Sequence, residues 1–184
     1  GNSGGGKTTM VNLLPRFYDV TSGSVCIDGV DVRDLELDSL RDKIAIVFQD
    51  NFLFAGTIRE NILLGKEDAT PEEIENACKM ASIHDFIMTL PDGYKTQVGA
   101  LGDNLSAGEK QRIGLARAFL RGSELILLDE PTSNVDSINE GIILKALKEQ
   151  KNKKSIILVS HRESTMAIAD RIYKVDCGVM TEEA

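Results

Sequence analysis

Apolar residues along this chain alternate between two rhythms, one of helices and one of buried strands. After a glycine-rich opening, Met10, Val11, Leu13 and Leu14 recur at the spacing of a helix packed on a sheet. SGSVCIDG then reads as a short strand ending in a turn at Asp28-Gly29. A short helix around LDSLRDK precedes KIAIVF, a β-branched run that reads as a buried strand leading into Gln49. Residues 51–83 are expected to be mostly helical, with Pro71 and two glutamates opening the helix PEEIENACKMA. Leu90-Pro91-Asp92-Gly93 marks a turn, and the glycine-rich stretch after it a loop. Ser106 is expected to cap the helix AGEKQRIGLARAFLR. ELILLDEP is an unbroken apolar run ending in carboxylates, the pattern of a central parallel strand buried on both faces. A helix from about 137 to 151, the strand SIILVS before His161, another helix and the short strands RIYKV and GVM follow. This alternation predicts an α/β domain built on a mostly parallel sheet, with neither an internal repeat nor a linker.

Composition narrows the picture only a little. With 184 residues, 42% of them apolar, the chain can bury one substantial core and is read as one domain. A net charge of -8 argues against a nucleic-acid binder, which would carry a basic face. It does not argue against an anionic ligand held by oriented backbone amides. No apolar run approaches the ~18 residues that span a bilayer. The cysteines Cys26, Cys78 and Cys177 share no metal-like spacing and read as reduced thiols, mostly small buried side chains. Met10, Met80 and Met88 read as core or helix-packing residues, His84 as structural, and the lysines of KEQKNKK as a solvated helix end.

Two stretches carry chemistry. Gly1, Asn2, Ser3, Gly4, Gly5, Gly6, Lys7 and Thr8 match G-x-x-x-x-G-K-[ST], the P-loop pattern, and Thr9 follows directly. Without a Cβ in the way, the backbone at the glycines can wrap a phosphate. Lys7 would reach the β- and γ-phosphates, and the Thr8 hydroxyl would ligate Mg²⁺. LILLDE, residues 125–130, is a hydrophobic strand ending in two carboxylates. There Asp129 would hold Mg²⁺, usually through water, and Glu130 would polarise an attacking water. Each stretch has a plainer alternative: a glycine-rich turn before an ordinary helix, or a buried strand before a solvated acidic turn. On one chain together they predict a P-loop NTPase that uses Mg²⁺.

A family resemblance then becomes specific. LSAGEKQRIGLARAF, residues 105–119, resembles the signature sequence that sets ABC ATPases apart from other P-loop proteins. PTSNVD (131–136) resembles the loop that follows in that family, His161 its switch histidine, and Gln49 the glutamine that senses the γ-phosphate and the partner domain. The resemblance implies a P-loop fold with a helical signature subdomain, about residues 51–122, inserted in the α/β core. It implies that two such domains pair head to tail around two ATP molecules. Ser106, Gly108 and Glu109 would then face the nucleotide of the partner, and Asp136 would carry dimer contacts. The resemblance assigns catalysis to Glu130, His161 and Gln49, and Mg²⁺ to Thr8, Gln49 and Asp129.

RFYDVTSGSVCIDGVDV, QDNFLFAGTIRENILLG and TQVGALGDNLSAG resemble the exporter branch, in which the ATPase and membrane domains share a polypeptide. That implies a partner transmembrane domain docking through coupling helices, and a place at the cytoplasmic face of a membrane. Phe52, Leu53 and Phe54 would line the docking groove, or else pack in the core. This chain departs from the pattern at Val20, Gln97, Ala100, Ala107 and Glu109. Of these, Ala107 and Glu109 replace the commonest glycine and glutamine of the signature, adding a methyl and a negative charge near the nucleotide. Because Gly1 opens a motif that should follow a buried strand, the chain is expected to be truncated at its N-terminus, without that strand and an adenine-stacking aromatic. The alternatives are a soluble ABC ATPase acting on DNA or ribosomes, and the ATPase subunit of an importer.

Overall fold

The computed structural model of the protein describes residues 4–99 and 102–183. Gly6, at φ +94°, turns the opening loop into α1 (Lys7–Leu13), which stops ahead of Pro15. β1 (Cys26–Ile27) and β2 (Val30–Asp31) form a hairpin whose turn places Asp28 and Gly29 at φ +51° and +80°, the conformation that a two-residue hairpin loop demands. The Glu36 carboxylate accepts from the backbone N–H groups of Asp38 and Ser39, starting α2 (Leu37–Asp42). β3 (Ile44–Val47) follows. β4 (Gly56–Thr57) leads into α3 (Ile58–Leu63), and α4 (Pro71–Met80) and α5 (His84–Thr89) come next. Reciprocal capping boxes, Thr57 with Glu60 and Thr70 with Glu73, satisfy the first amides of α3 and α4. β5 (Gln97–Val98) returns to pair antiparallel with β4.

The longest helix, α6 (Ala107–Arg121), starts at Ser106 and ends on Gly122 at φ +73°. β6 (Leu125–Asp129), α7 (Ser137–Gln150), β7 (Ser155–Val159) and the short α8 (Glu163–Met166) complete the core. β8 (Ile172–Asp176) and β9 (Val179–Glu183) make a final hairpin.

Strands β3, β6 and β7 form a parallel sheet in that order, with Ile46 opposite Leu127 and Leu127 opposite Ile157. β6 is central, and successive residues along it serve two cores. Ile126 and Leu128 join Ala45 and Val47 against the helices, where Ile62, Ile74, Ile113, Leu115 and Leu147 are buried. Leu127 joins Ile44 and Val159 on the other face, against Val11, Val32 and Leu40. Burying each large apolar side chain is worth about 1.5–3 kcal/mol, which accounts for the unbroken apolar run of residues 125–128 before Asp129. Because the sheet is parallel, Gln49, Asp129-Glu130 and His161 all emerge at its C-terminal edge, where open α/β sheets bind ligands.

Several expectations are corrected. Residues 51–55 form no helix or strand, and helix begins only at Ile58. Tertiary hydrogen bonds hold this segment instead. Asn61 accepts from the Phe54 N–H and donates to the Phe54 carbonyl, both at 2.9 Å, and Arg117 Nη1 donates to the Phe52 carbonyl at 2.7 Å. Leu53 is fully buried, so only Phe52 and Phe54 of that trio face solvent, stacked edge to face at 4.9 Å. Cys78 is buried, whereas Cys26 and Cys177 are exposed. Met88 lies on the surface. Lys148 and Lys153 are exposed as expected, whereas Lys151 pairs with Asp170 at 2.7 Å and Lys154 donates to the Ser123 carbonyl at 2.8 Å. His84 keeps its structural place, with Nδ1 2.8 Å from the Tyr94 hydroxyl.

Candidate functional site

The start of α1 has no side-chain cap and no acidic residue in its first turn. Gly4 and Gly6 adopt φ +81° and +94°, conformations that glycine reaches at no steric expense. The loop thus presents a bare helix start, the geometry that receives a phosphate. From the opposite side the Gly178 N–H, in the turn of the β8–β9 hairpin, donates to the Gly5 carbonyl at 3.3 Å. Gly1, Asn2 and Ser3 lie outside the described residues, as does Ala100.

Thr8 Oγ1 donates to Asp129 Oδ2 at 2.8 Å, joining positions 121 apart in sequence. The other carboxylate oxygen, Oδ1, is buried and has no hydrogen-bond partner among the described residues. An orphaned carboxylate oxygen beside a threonine hydroxyl is a hard, anionic donor set, and it fits Mg²⁺.

One residue further on, Glu130 adopts φ +48°, a left-handed conformation that is uncommon outside glycine. It is fixed by its N–H, which donates to the Val159 carbonyl at 2.9 Å, and by its own carbonyl, which accepts from Ser133 N–H and Oγ. The twist aims the carboxylate at the end of β7, where both oxygens lie 3.0 Å from His161 Nδ1. The carboxylate is largely shielded while the imidazole is open, at 17% and 60% exposure. The pair can pass or hold a proton at the mouth of the site.

Gln49 is exposed beyond β3 and lines a cavity of about 290 Å³. Asp50, Asn51, Ala107, Gln111 and Asn134 also line it, so the loop after β3, the start of α6 and the loop after β6 meet there. Asn51 Nδ2 donates to Gln111 Oε1 at 2.6 Å, Gln111 Nε2 donates to the Phe48 carbonyl at 3.3 Å, and Asn134 Nδ2 donates to Asp50 Oδ1 at 3.2 Å. Sequence reasoning missed these tethers. One cue was available: Gly114 in mid-helix marks a close approach, and a Cβ there would sit 2.4 Å from Asn51 Cγ.

The residues resembling the family signature have local partners. Ser106 Oγ accepts from the Glu109 N–H at 3.3 Å, and the Glu109 carboxylate accepts from the Ser106 N–H at 2.8 Å. The unusual Glu109 therefore completes a capping box for α6. Gly108 is buried, and a Cβ on it would sit 2.4 Å from Asn139 Cγ on α7. Asp136 caps α7, accepting from the N–H groups of Ile138 and Asn139 at 2.9 Å, and those bonds, the one from Asn139 foremost, hold its carboxyl below the usual range. Arg112 Nη1 donates to Asn139 Oδ1 at 2.6 Å, and burial lowers the pKa of its guanidinium. The fold therefore joins Thr8 to Asp129 and Glu130 to His161, and gathers Gln49 beside the start of α6. Ser106, Gly108 and Asp136 bond and pack within α6 and α7.

Comparison with known proteins adds kinship to this geometry. The family model described as "ABC transporter" matches residues 1–133. A Haemophilus influenzae protein named as an ABC transporter ATP-binding/permease protein is 56% identical over 181 residues, covering 98% of this chain and 33% of that protein. A Bacillus subtilis protein named as a multidrug export ATP-binding/permease protein is 51% identical over 182 residues, or 99% of this chain and 31% of its own length. The chain thus spans about a third of the length of the curated relatives it matches. The solved structure of a bacterial Atm1-family ABC exporter with ATP bound superposes with a TM-score of 0.90 at 42% identity, covering 96% of this chain and 31% of that one. Glycines bent around a bare helix start, a threonine hydroxyl on a strand-end carboxylate and a glutamate aimed at a histidine thus coincide with that kinship: the chain belongs to the ABC transporter family.

Proposed function

We propose that this chain is the ATP-binding and ATP-hydrolysing domain of an exporter, and that it pairs with a second such domain around ATP to drive an attached transmembrane domain. The observation that carries this reading is the Thr8–Asp129 bond lying one residue from the Glu130–His161 pair, all at one edge of a parallel sheet. The amides of the P-loop and Lys7 hold the β- and γ-phosphates. Thr8, Asp129 and Gln49 would hold Mg²⁺, which would supply neutralisation of phosphate charge. Glu130 accepts the proton of the attacking water, and His161 keeps the carboxylate facing the γ-phosphate. Ser106, Gly108 and Glu109 at the start of α6 face the partner's nucleotide, and Asp136 lies at the dimer contact. Residues 51–122 act as the helical unit between the nucleotide and the membrane partner.

Exposed Phe52 and Phe54, on a segment pinned from behind by Asn61 and Arg117, suit the receipt of a coupling helix. Among the described residues no helix is long and apolar enough to cross a membrane; the transmembrane partner holds the domain at the cytoplasmic face. The ATP-binding/permease names of the relatives favour export over the readings as a DNA or ribosome ATPase or an importer subunit.

Glu130→Gln in the full-length polypeptide tests the reading. Hydrolysis should fall by at least a hundredfold, nucleotide affinity should persist, and MgATP but not MgADP should hold the two domains together. Unimpaired turnover would refute the assignment of Glu130.

A further inference from the structure

The residue after His161, Arg162, is a tightly engaged cation at the C-terminal edge of the sheet. Arg162 Nη1 donates to Glu140 Oε2 at 2.6 Å, and Nη2 donates to the Ser133 carbonyl at 3.2 Å. The second Glu140 oxygen accepts from Ser164 Oγ at 2.6 Å. The side chains of Arg162 and Glu140 are 29% and 13% exposed, so this is no solvated surface pair of negligible worth. Within the switch loop, residues 160–162 after β7, the Arg162 N–H closes on Ser160 Oγ at 3.1 Å.

These bonds bracket the Glu130–His161 pair from behind. Arg162 is the covalent neighbour of His161, and through the Ser133 carbonyl it grips the residue whose own N–H and Oγ hold the Glu130 carbonyl. Its counter-ion, Glu140, lies in the first turn of α7, the turn that Asp136 caps. A displacement of the loop 131–136 therefore reaches His161 through Asp136, Glu140 and Arg162, without passing through the nucleotide.

We infer that Glu140 and Arg162 are positioning residues for hydrolysis. They clamp the switch loop to the start of α7, so that His161 meets Glu130 only while the loop 131–136 is in its seated position. Neither was marked by the sequence motifs. The inference rests on Glu130 and His161 being the hydrolytic pair.

The test is steady-state hydrolysis by the full-length transporter, alongside equilibrium binding of a fluorescent ATP analogue. Glu140→Gln and Arg162→Lys should each lower kcat about tenfold while KM and analogue affinity stay within about twofold, because orientation is lost but phosphate contacts are not. The double variant should be no slower than the worse single one, since the two residues act as one unit. Ser164→Ala, which removes a bond from an exposed hydroxyl, should show the same pattern at a severalfold loss, and it serves where the charge variants fail to fold. A kcat within twofold of the parent for these variants, or kcat and nucleotide affinity falling together, overturns the clamp. If His161→Ala hydrolyses normally, the parent reading fails instead; if His161→Ala is inactive and Glu140→Gln is not, only the clamp fails.

Discussion

Alanine for glycine in mid-helix ordinarily stabilises by about 1 kcal/mol, because alanine loses less backbone freedom on folding. Gly114→Ala should do the opposite. The added Cβ would lie 2.4 Å from both Cγ and Nδ2 of Asn51 and 2.5 Å from Oδ1, about 1 Å inside normal contact. Asn51 cannot swing away freely, since its amide is bonded at 2.6 Å to Gln111, which is only 3% exposed. Displacing it strips a buried acceptor of its donor, at about 1–3 kcal/mol, and the accompanying backbone shift adds about 1–3 kcal/mol. Set against the propensity gain, the net loss is on the order of 1–5 kcal/mol, or roughly 2–4 °C of melting temperature per kcal/mol for a chain of this size. Gly141→Ala on α7, whose Cβ would meet nothing within 4 Å, is the internal control and should gain about 0.5–1 kcal/mol. Differential scanning calorimetry of both variants decides the matter. Combining Gly114→Ala with Asn51→Ala should cost less than the sum of the two, since one change removes the other's obstacle. A melting temperature that rises with Gly114→Ala, or strict additivity in the pair, would refute the steric argument.

Thiol chemistry should separate the cysteines: with native protein at pH 8, iodoacetamide should label Cys26 and Cys177 while sparing Cys78, as mass spectrometry of peptides would show. Burial raises the Cys78 thiol from 9.0 to about 11, so its contribution to stability is fully present below pH 9 and is lost as pH rises through about 11. Cys78→Ala should flatten that part of an alkaline denaturation curve. Hydrogen bonds from Arg33 hold the Asp31 carboxyl at about 2 instead of 3.8, so the stability it lends is present above pH 3.8 and fades as pH falls through about 2. Arg33→Gln should remove that acid dependence in circular-dichroism titrations. The three nitrogens of Arg117 each make a 2.7 Å bond, to Asn61 O, Phe52 O and Asn61 Oδ1, and a lysine cannot span that fork. Arg117→Lys should lower the urea midpoint by the equivalent of about 2–3 kcal/mol, and an unchanged midpoint would show the fork to be dispensable.

What the sequence makes legible here is what depends on near neighbours. Ser106 announces the start of α6, and Asp28-Gly29 announces its hairpin. The unbroken apolar run before Asp129 announces a strand buried on both sides. Thr8, Asp129 and Glu130 could be named because their motifs encode a local shape as well as a chemistry. The segment 51–55 was misjudged because Asn61 and Arg117 hold it, and their partners lie up to 65 positions away. Leu53 and Phe54 are adjacent apolar residues, yet one is sealed and the other open, and no local pattern distinguishes them. The Arg162–Glu140 bond, across 22 positions, is invisible for the same reason, since a charged residue in a loop reads as solvated until its counter-ion is located. Glu109 departs from the commonest signature, and the spacing Ser106-x-x-Glu109 also spells a capping box.

The left-handed backbone at Glu130 has an evolutionary corollary. An L-residue with a long side chain in that region gives up about 1–2 kcal/mol that glycine would not, so the fold itself favours replacing the residue on which hydrolysis is proposed to depend. Selection for turnover must continuously oppose that preference. In a duplicated copy released from the need to hydrolyse, drift at position 130 runs downhill in folding energy, towards glycine or asparagine, and the return path runs uphill. Paired chains descended from such a duplication would therefore tend to become asymmetric at this position first, with the silent partner the more stable of the two.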